Sequence, residues 1–278
     1  MKATNSTGTA DVYDKIADEW NEYKQKPLSA VNLLLPFATG IQCLDAGTGN
    51  GRNLPLLLDK FKTVLAIDNS EKLLEIAKQK YVGKGVNFQL ADVCALPFDE
   101  DSFDTVLCAA VLHHLNDDEI VVAFNELHRV LKPGGLLLGC VWNKHQEKFK
   151  NVIGNEGSIS WTMKNGEVAQ RYIHFFEKEE IEQLAVSAGF EVVEIFYEKK
   201  AQKTLVRKGA KNLCFVLRKS KTKRCPICSG ELNLVEDIHS EIDGRVFVER
   251  GLRCSNCSEE FISEKEGQKM IEVARELV

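Results

Sequence analysis

The stretch CLDAGTGNGRN, residues 43–53, decides how this chain folds. A short apolar run ends in an acid, Asp45, and glycines then follow at alternate positions, Gly47, Gly49 and Gly51. Glycines between a strand and a helix start allow left-handed turns and let a ligand approach main-chain N–H groups that a side chain would cover. A small polar cofactor fits such a turn; the dinucleotide fingerprint G-x-G-x-x-G carries its third glycine one residue later, and spacing alone does not decide between them.

Outward from this loop, short apolar runs alternate with helix-period segments. QCLDA, TVLAID, VNFQLAD, FDTVLCAA and LLLGCVW are apolar on both faces, as buried parallel strands are. NLPLLLDKF, SEKLLEIAKQKY and DDEIVVAFNELHRVL between them place apolar residues at helical spacing. This alternation predicts an α/β, doubly wound, mostly parallel sheet. LKPGG, residues 131–135, has the chemistry of a turn from helix to strand. Past Val141 the rhythm loosens. A further helix, KEEIEQLAVSAGF, precedes the strands EVVEIFYE and NLCFVLRK, which are joined by basic residues and are expected to run antiparallel.

The chain has 278 residues, enough for one large and one small domain, and 44% hydrophobic against 28% charged residues is an ordinary globular balance. The opening MKATNSTGTA lacks the apolar core of a signal peptide, and no run reaches membrane-spanning length. Nine cysteines without such a signal suggest a reducing, cytoplasmic setting. The net charge of −5 conceals an asymmetry: residues 199–224 hold eight Lys and three Arg with no acid, while the rest of the chain is strongly acidic. Such a strip is either a solvated face or a phosphate-binding surface.

Acids follow the glycine loop in a set order. Asp45 closes the first strand, Asp68 the second, and Asp92 follows the third. With these motifs, residues 40–145 resemble the class I S-adenosylmethionine-dependent methyltransferases, whose sheet is seven-stranded. The resemblance implies that Gly47, Gly49, Gly51 and Asp45 hold the methionine portion, Asp68 the ribose hydroxyls, and Asp92 with Val93 the adenine, with Ala109 at the end of the fourth strand also lining the cofactor site. A carboxylate suits two hydroxyl donors, and this cofactor has no phosphate that needs a cation. The fourth strand leads into CAAVLHHL rather than an amine-methylating motif, which leaves His113 and His114 as candidates for the cofactor lid or the substrate mouth.

The flanks VYDKIADEWNEYKQKP (residues 12–27) and RYIHFFEKEEIEQLAVSAGF (residues 171–190), with NLCFVLRK, resemble the tRNA wobble-uridine carboxymethyl methyltransferases over most of residues 11–219. That family's aromatic and proline after Lys-Pro are here Leu28 and Ser29, and its tryptophan near the final strand is Leu213. The resemblance implies an acceptor that is already an ionised carboxylate, which needs cations and no base. Lys26, Arg52 and Arg171 are the candidates to orient it, with Tyr13 closing over the cofactor. It also makes tRNA the expected partner of the basic segment 199–224. The other readings are a methyltransferase for a small metabolite, such as a quinone precursor or carboxylic acid, and a non-catalytic adaptor that binds RNA or protein.

Beyond the KSKTKR linker, two C-x-x-C pairs, Cys225/Cys228 and Cys254/Cys257, are separated by 25 residues. Four thiolates so arranged suit tetrahedral structural zinc, the long interval being taken up by a hairpin around DIHSEIDGRVF; the rival reading is two reducible disulfides, which a reducing compartment disfavours. This tail resembles zinc ribbons, including the zinc half of the small activator that partners some tRNA methyltransferases. The expected partners therefore include such an activator, or its role supplied in cis. The expected domains are a methyltransferase over residues 1–219 and a zinc ribbon with a C-terminal helix over 220–278. Cys43, Cys94, Cys108, Cys140 and Cys214 lie in apolar runs and read as core.

Overall fold

The structure is a computed structural model that describes residues 6–221, 223–224, 231–242 and 245–262. The chain divides into two compact units, Met1–Lys219 and Ser220–Val278.

In the first unit, β1 (Gln42–Ala46), β2 (Thr63–Asp68), β3 (Val86–Leu90), β4 (Phe103–Ala109) and β5 (Leu131–Trp142) run parallel. β6 (Glu156–Thr162) and β7 (Val168–His174) form a separate antiparallel hairpin. β8 (Phe190–Lys199), β9 (Gln202–Thr204) and β10 (Asn212–Lys219) complete the main sheet in the order β3-β2-β1-β4-β5-β10-β8-β9. β10 runs antiparallel between β5 and β8. The sheet thus has eight strands rather than seven. The extra one is the three-residue β9, which folds back onto the end of β8 through the left-handed pair Lys200 and Ala201.

The helices are α1 (Ser6–Tyr23), α2 (Ser29–Leu34), α3 (Leu54–Leu58), α4 (Glu71–Lys80), α5 (Asp117–Val130) and α6 (Lys178–Ser187). α4 begins where the Ser70 hydroxyl accepts the Leu73 N–H, and α5 begins with a reciprocal Asn116/Glu119 capping box. Alternate side chains along β4 enter opposite apolar layers. Val106 and Cys108 pack with Phe124 and Leu127 of α5, while Leu107 and Ala109 pack with Val31 and Leu34 of α2 and Leu54 and Leu57 of α3. Burial on both faces is why these strands read as continuous apolar runs. Gly139 of β5 makes room for the Phe215 ring, because a Cβ there would lie 2.0 Å from it.

LKPGG differs from expectation in being part of β5. Phe103 pairs with Leu131 and Thr105 with Leu136, so Lys132 to Gly135 bulge out opposite Asp104, and Gly134 takes φ +83°. The hairpin β6/β7 lies in the stretch where the sequence rhythm loosens. α1 packs over α4 and this hairpin through Ile16, Ala17, Trp20, Leu73, Met163 and Ala169. Glu19 secures that contact by accepting from Trp161 Nε1 at 3.3 Å and from the Lys164 N–H at 2.7 Å.

The second unit is an antiparallel sheet, ordered β11 (Lys223–Arg224), β12 (Glu231–Ile242), β13 (Arg245–Cys254) and β14 (Glu260–Phe261). β12 and β13 form the long hairpin expected between the cysteine pairs, with a register shift between Val235 and Ile238. Cys225, Cys228 and the segment EGQKMIEVARELV lie outside the described residues. No helix among the described residues is long and apolar enough to cross a membrane.

Candidate active site

A cleft opens at the C-terminal ends of β1, β2 and β4, where ligands of open α/β sheets bind. It encloses about 810 Å³ of free space, solvent at its mouth included, and Tyr13 and Trp20 of α1 lie over it. Of the expected cofactor residues, Tyr13, Gly47, Gly49, Asp68, Val93 and Ala109 line it.

The three glycines have different reasons to be glycine. All have positive φ, but a Cβ on Gly47 would strike Val111 Cγ2 at 2.2 Å and one on Gly51 would meet Tyr81 and Leu54 at 2.9 and 3.0 Å, whereas one on Gly49 would enter open space. Gly49 is therefore where a ligand can press against the backbone. The loop offers shape rather than donors. The Gly47 and Thr48 amides are taken by the Ile67 carbonyl, the Gly51 amide by the Thr48 carbonyl, and the Gly49 amide by Asp68 Oδ2. The expected row of ligand-facing N–H groups is thus spent on holding the turn.

Asp68 bridges the loop to α4, accepting from Gly49 at 2.7 Å and from the Ser70 N–H at 2.9 Å. The Asn69 amide also acts on it, so one or two of a carboxylate's roughly four lone-pair positions remain open to hydroxyl donors. Burial pushes its carboxyl up to about 6. Asp45 is buried behind the loop, outside the cleft lining. Neither carboxylate oxygen has a partner among the described residues, and burial raises it to about 7. Asp92 Oδ1 accepts the Cys94 N–H at 2.8 Å, which turns the chain so that buried Val93 enters the cleft; Asp92 itself is not in the lining. Ala110, in the left-handed region at φ 65°, ends β4 beside the cleft.

The histidines differ. His114 Nδ1 lies 3.0 Å from the Tyr172 carbonyl, an acceptor, so Nδ1 carries the proton and Nε2 accepts the Tyr13 hydroxyl at 2.8 Å. Burial lowers His114 to about 4, which keeps this arrangement neutral. The Tyr13 oxygen therefore has lone pairs to offer. His113 is stacked on Trp142 outside the cleft lining. Its Nδ1 accepts the Trp142 N–H at 3.4 Å, and its buried Nε2 has no partner among the described residues.

Next to Tyr13 and His114 lies a cationic centre that only partly matches expectation. Arg171 of β7 is 5% exposed, and its guanidinium sits over three indoles: Trp20 and Trp161 at 5.5 Å and Trp142 at 5.9 Å. Its Nε lacks a hydrogen-bond partner and no carboxylate pairs with it among the described residues. Arg52 lines the cleft, 5.9 Å from the Trp20 ring. Lys26, by contrast, is exposed and outside the cleft; Lys24, two residues earlier, is the one turned over Trp20, at 5.5 Å. Lys148 lies 4.0 Å from the Trp142 ring and is lowered to about 8 by burial first, then by Arg171, Lys211 and Lys24. The sequence reading missed the tryptophans, Lys24 and Lys148. Alternating residues on either side of Lys164-Asn165-Gly166 carry the hairpin signal that would have placed Trp161 near Arg171.

The basic segment is less uniform than its composition. Lys219 turns inward to Asp101 at 2.7 Å, Lys203 pairs with Glu194, and Arg218 lies 3.9 Å from Glu191. Among the described residues no cluster of three or more His, Cys, Asp or Glu side chains could hold a metal. Cys254 is buried and its Sγ accepts the Asn256 N–H at 3.4 Å, while Cys257 is exposed.

Comparison with known proteins agrees with this geometry. Residues 44–139 match the family described as a methyltransferase domain. A protein of Encephalitozoon cuniculi, named as a methyltransferase, is 33% identical over 158 residues, spanning 54% of this chain and 70% of the relative. The chain belongs to the methyltransferase family. The methyltransferase is also 27% identical over 213 residues to the tRNA (carboxymethyluridine(34)-5-O)-methyltransferase of Schizosaccharomyces pombe, spanning 68% of this chain and 90% of that one. The ubiquinone/menaquinone C-methyltransferase of Desulfotalea psychrophila is 35% identical over 114 residues, 40% of this chain and 44% of that one. Among solved structures, a chain from the complex of the Haloferax volcanii Trm112 methyltransferase activator with a methyltransferase shares the fold, with a TM-score of 0.59 at 20% identity, over 78% of this chain and 100% of that one. The chain is an S-adenosylmethionine-dependent methyltransferase, and its cleft fits that molecule: an open cradle at Gly49 and a buried Asp68 carboxylate at its edge.

Proposed function

We propose that this methyltransferase esterifies a carboxylate carried by tRNA, the carboxymethyl group of a wobble uridine. One observation carries the reading: the buried, carboxylate-free cationic centre of Arg171 in its tryptophan surround, with Arg52 and Lys148 beside it. A buried cation without a counter-ion is costly unless an anionic ligand completes it. A neutral quinone ring would leave it uncompensated. The Schizosaccharomyces pombe relative, named for a carboxymethyluridine substrate, supports the same choice.

S-adenosylmethionine, when bound, would supply an electrophilic methyl group, and a carboxylate acceptor is already ionised at neutral pH, so the site needs no base. The protein's task is alignment and exclusion of water. Asp68 and the Gly49 cradle hold the cofactor end, and Arg171 presents its guanidinium to the acceptor carboxylate. The neutral His114 fixes the Tyr13 hydroxyl over the cleft, and the indoles shield the centre. Asp92 acts through the loop it holds, and Asp45 lies buried behind the glycine turn. His113, stacked under Trp142, positions that ring.

In the second unit, the cysteine pairs and the amide-to-sulfur contact at Cys254 support a structural zinc held by Cys225, Cys228, Cys254 and Cys257. The tail would then do in cis what a zinc-bearing activator does for other methyltransferases. The deciding experiment is nucleoside mass spectrometry of carboxymethyl-modified tRNA incubated with enzyme and S-adenosylmethionine. The methyl ester should appear on uridine and be absent from a quinone-precursor control.

A further inference from the structure

A second cleft lies outside the cofactor site, walled by residues 144–152 after β5 and residues 199–209 between β8 and β10. It holds about 1410 Å³ of free space, open solvent included. Lys144 and Lys150 come from one wall, Lys199, Arg207 and Lys208 from the other, and Glu147 is the acid in its lining.

The walls are fastened to each other. The Gly209 N–H donates to the His145 carbonyl at 3.2 Å, and Asn143 Nδ2 donates to the Arg207 carbonyl at 2.7 Å. Lys199 Nζ reaches the Lys208 carbonyl at 3.3 Å. Charge compensation is slight. Lys150 pairs with Glu147 in an exposed contact, whereas Lys144, Lys199, Arg207 and Lys208 have no carboxylate partner among the described residues. His145 is engaged with Glu177 at 3.1 Å. This differs from Lys203, Arg218 and Lys219 of the same basic segment, whose charges are met by acids.

The cleft borders the turn that carries Lys148. The short helical turn Glu147–Phe149 contributes Glu147 and Phe149 to its lining, and Lys148 within that turn lies over Trp142, one of the rings around Arg171. A line of cations therefore runs from the outer cleft through Lys148 to Arg171.

We propose that this cleft binds the sugar-phosphate backbone of the RNA strand whose modified nucleotide enters the Arg171 centre. The inference rests on the reading of an RNA acceptor. It assigns phosphate contact to Lys144, Lys199, Arg207 and Lys208, and none to the paired members of the basic segment. A strand tracking this cleft fixes the approach of the target base while its own sequence goes unread, as backbone contacts do.

The test is binding of full-length enzyme to a labelled anticodon stem-loop RNA over a range of salt. Two variants are compared with the parent: Lys144→Gln/Lys199→Gln/Lys208→Gln, and a control with the exposed Lys60→Gln/Lys62→Gln/Lys78→Gln. Losing three phosphate contacts should reduce the slope of log affinity against log salt by about two, at ~0.7 per contact for a single strand. KM for tRNA should rise with kcat and S-adenosylmethionine affinity unchanged, and the control should match the parent. A cleft variant with the parent's slope and KM, in an enzyme that binds and methylates tRNA, overturns the cleft assignment alone. A parent that binds S-adenosylmethionine but shows no salt-dependent affinity for tRNA overturns the RNA reading, and this inference with it.

Discussion

The Asp68 carboxylate accepts the Gly49 amide at 2.7 Å, so one side chain both shapes the glycine turn and faces the cofactor cleft. Asp68→Ala removes the proposed ribose acceptor and the carboxylate that holds the Gly49 amide. S-adenosylmethionine binding should weaken by roughly 2 to 4 kcal/mol, at about 1.5 to 3 per charge-assisted bond with some shared cost. Affinity in the parent should also decline as pH falls through about 6, where this carboxyl takes a proton. Calorimetry showing parental affinity in the folded variant would remove Asp68 from the site.

Asp45 is raised by burial from 3.8 to about 7. The folded state therefore holds its proton more tightly than the unfolded chain, and this stabilising contribution is full below about pH 4 and lost as pH rises through about 7. Asp45→Asn, neutral at all pH, should narrow the gap in Tm between pH 5 and pH 8, with ~3 kcal/mol as the outer bound for the two units between pH 5 and 7 at 1.36 per pH unit. Equal pH dependence in both proteins, followed by thermal melts, would show that Asp45 finds a partner in solution.

Gly47 and Gly49 should separate folding from binding. Both pay about 1 to 2 kcal/mol for a left-handed alanine. Gly47→Ala additionally drives Cβ into Val111, so its Tm should fall much further. Gly49→Ala meets no protein atom within 4 Å and should fold, yet its methyl occupies ligand space and should abolish S-adenosylmethionine binding. Thermal melts with and without cofactor distinguish the two.

Arg171→Met should make the apo-protein more stable and the enzyme inactive, because the cation is buried without a carboxylate. Arg171→Lys keeps the charge but loses the planar fork, and should raise KM for tRNA about 10- to 100-fold with cofactor affinity intact. A destabilised Arg171→Met variant would mean that the guanidinium is structurally paired.

If the cysteine pairs hold zinc, protein purified under reducing conditions should contain one equivalent by metal analysis. Cys254→Ser/Cys257→Ser should lose it and expose the second unit to proteolysis, while the first unit still binds S-adenosylmethionine. Absence of zinc from the parent would refute the assignment.

Much of this was legible in the sequence because burial on both faces leaves a simple mark. The runs at residues 42–46 and 63–68 match β1 and β2, and residues 212–219 match β10. Gly49 and Asp68 fall in the cleft because they sit at a turn and a strand end, positions the ordered glycines and acids reveal, whereas Tyr13, inside α1, is indicated only by the resemblance of its flanking segment. What escaped depends on contacts distant in sequence. Trp161 meets Arg171 across the β6/β7 hairpin, but Trp20 of α1 and Trp142 of β5 reach it only through the tertiary fold. Whether Lys24 or Lys26 faces inward depends on how the chain leaves α1. The uses of the loop amides and of Lys203 and Lys219 are likewise settled by partners from other elements.

The arrangement around Arg171 has an optical consequence. The chain contains three tryptophans, and all three rings lie within 6 Å of that guanidinium. Native indole fluorescence is therefore a label already installed at the proposed acceptor centre, with no indole elsewhere to dilute it. Filling the centre with an anion should change the emission of the whole protein, so a fluorimeter can follow acceptor capture without a dye, a tag or turnover.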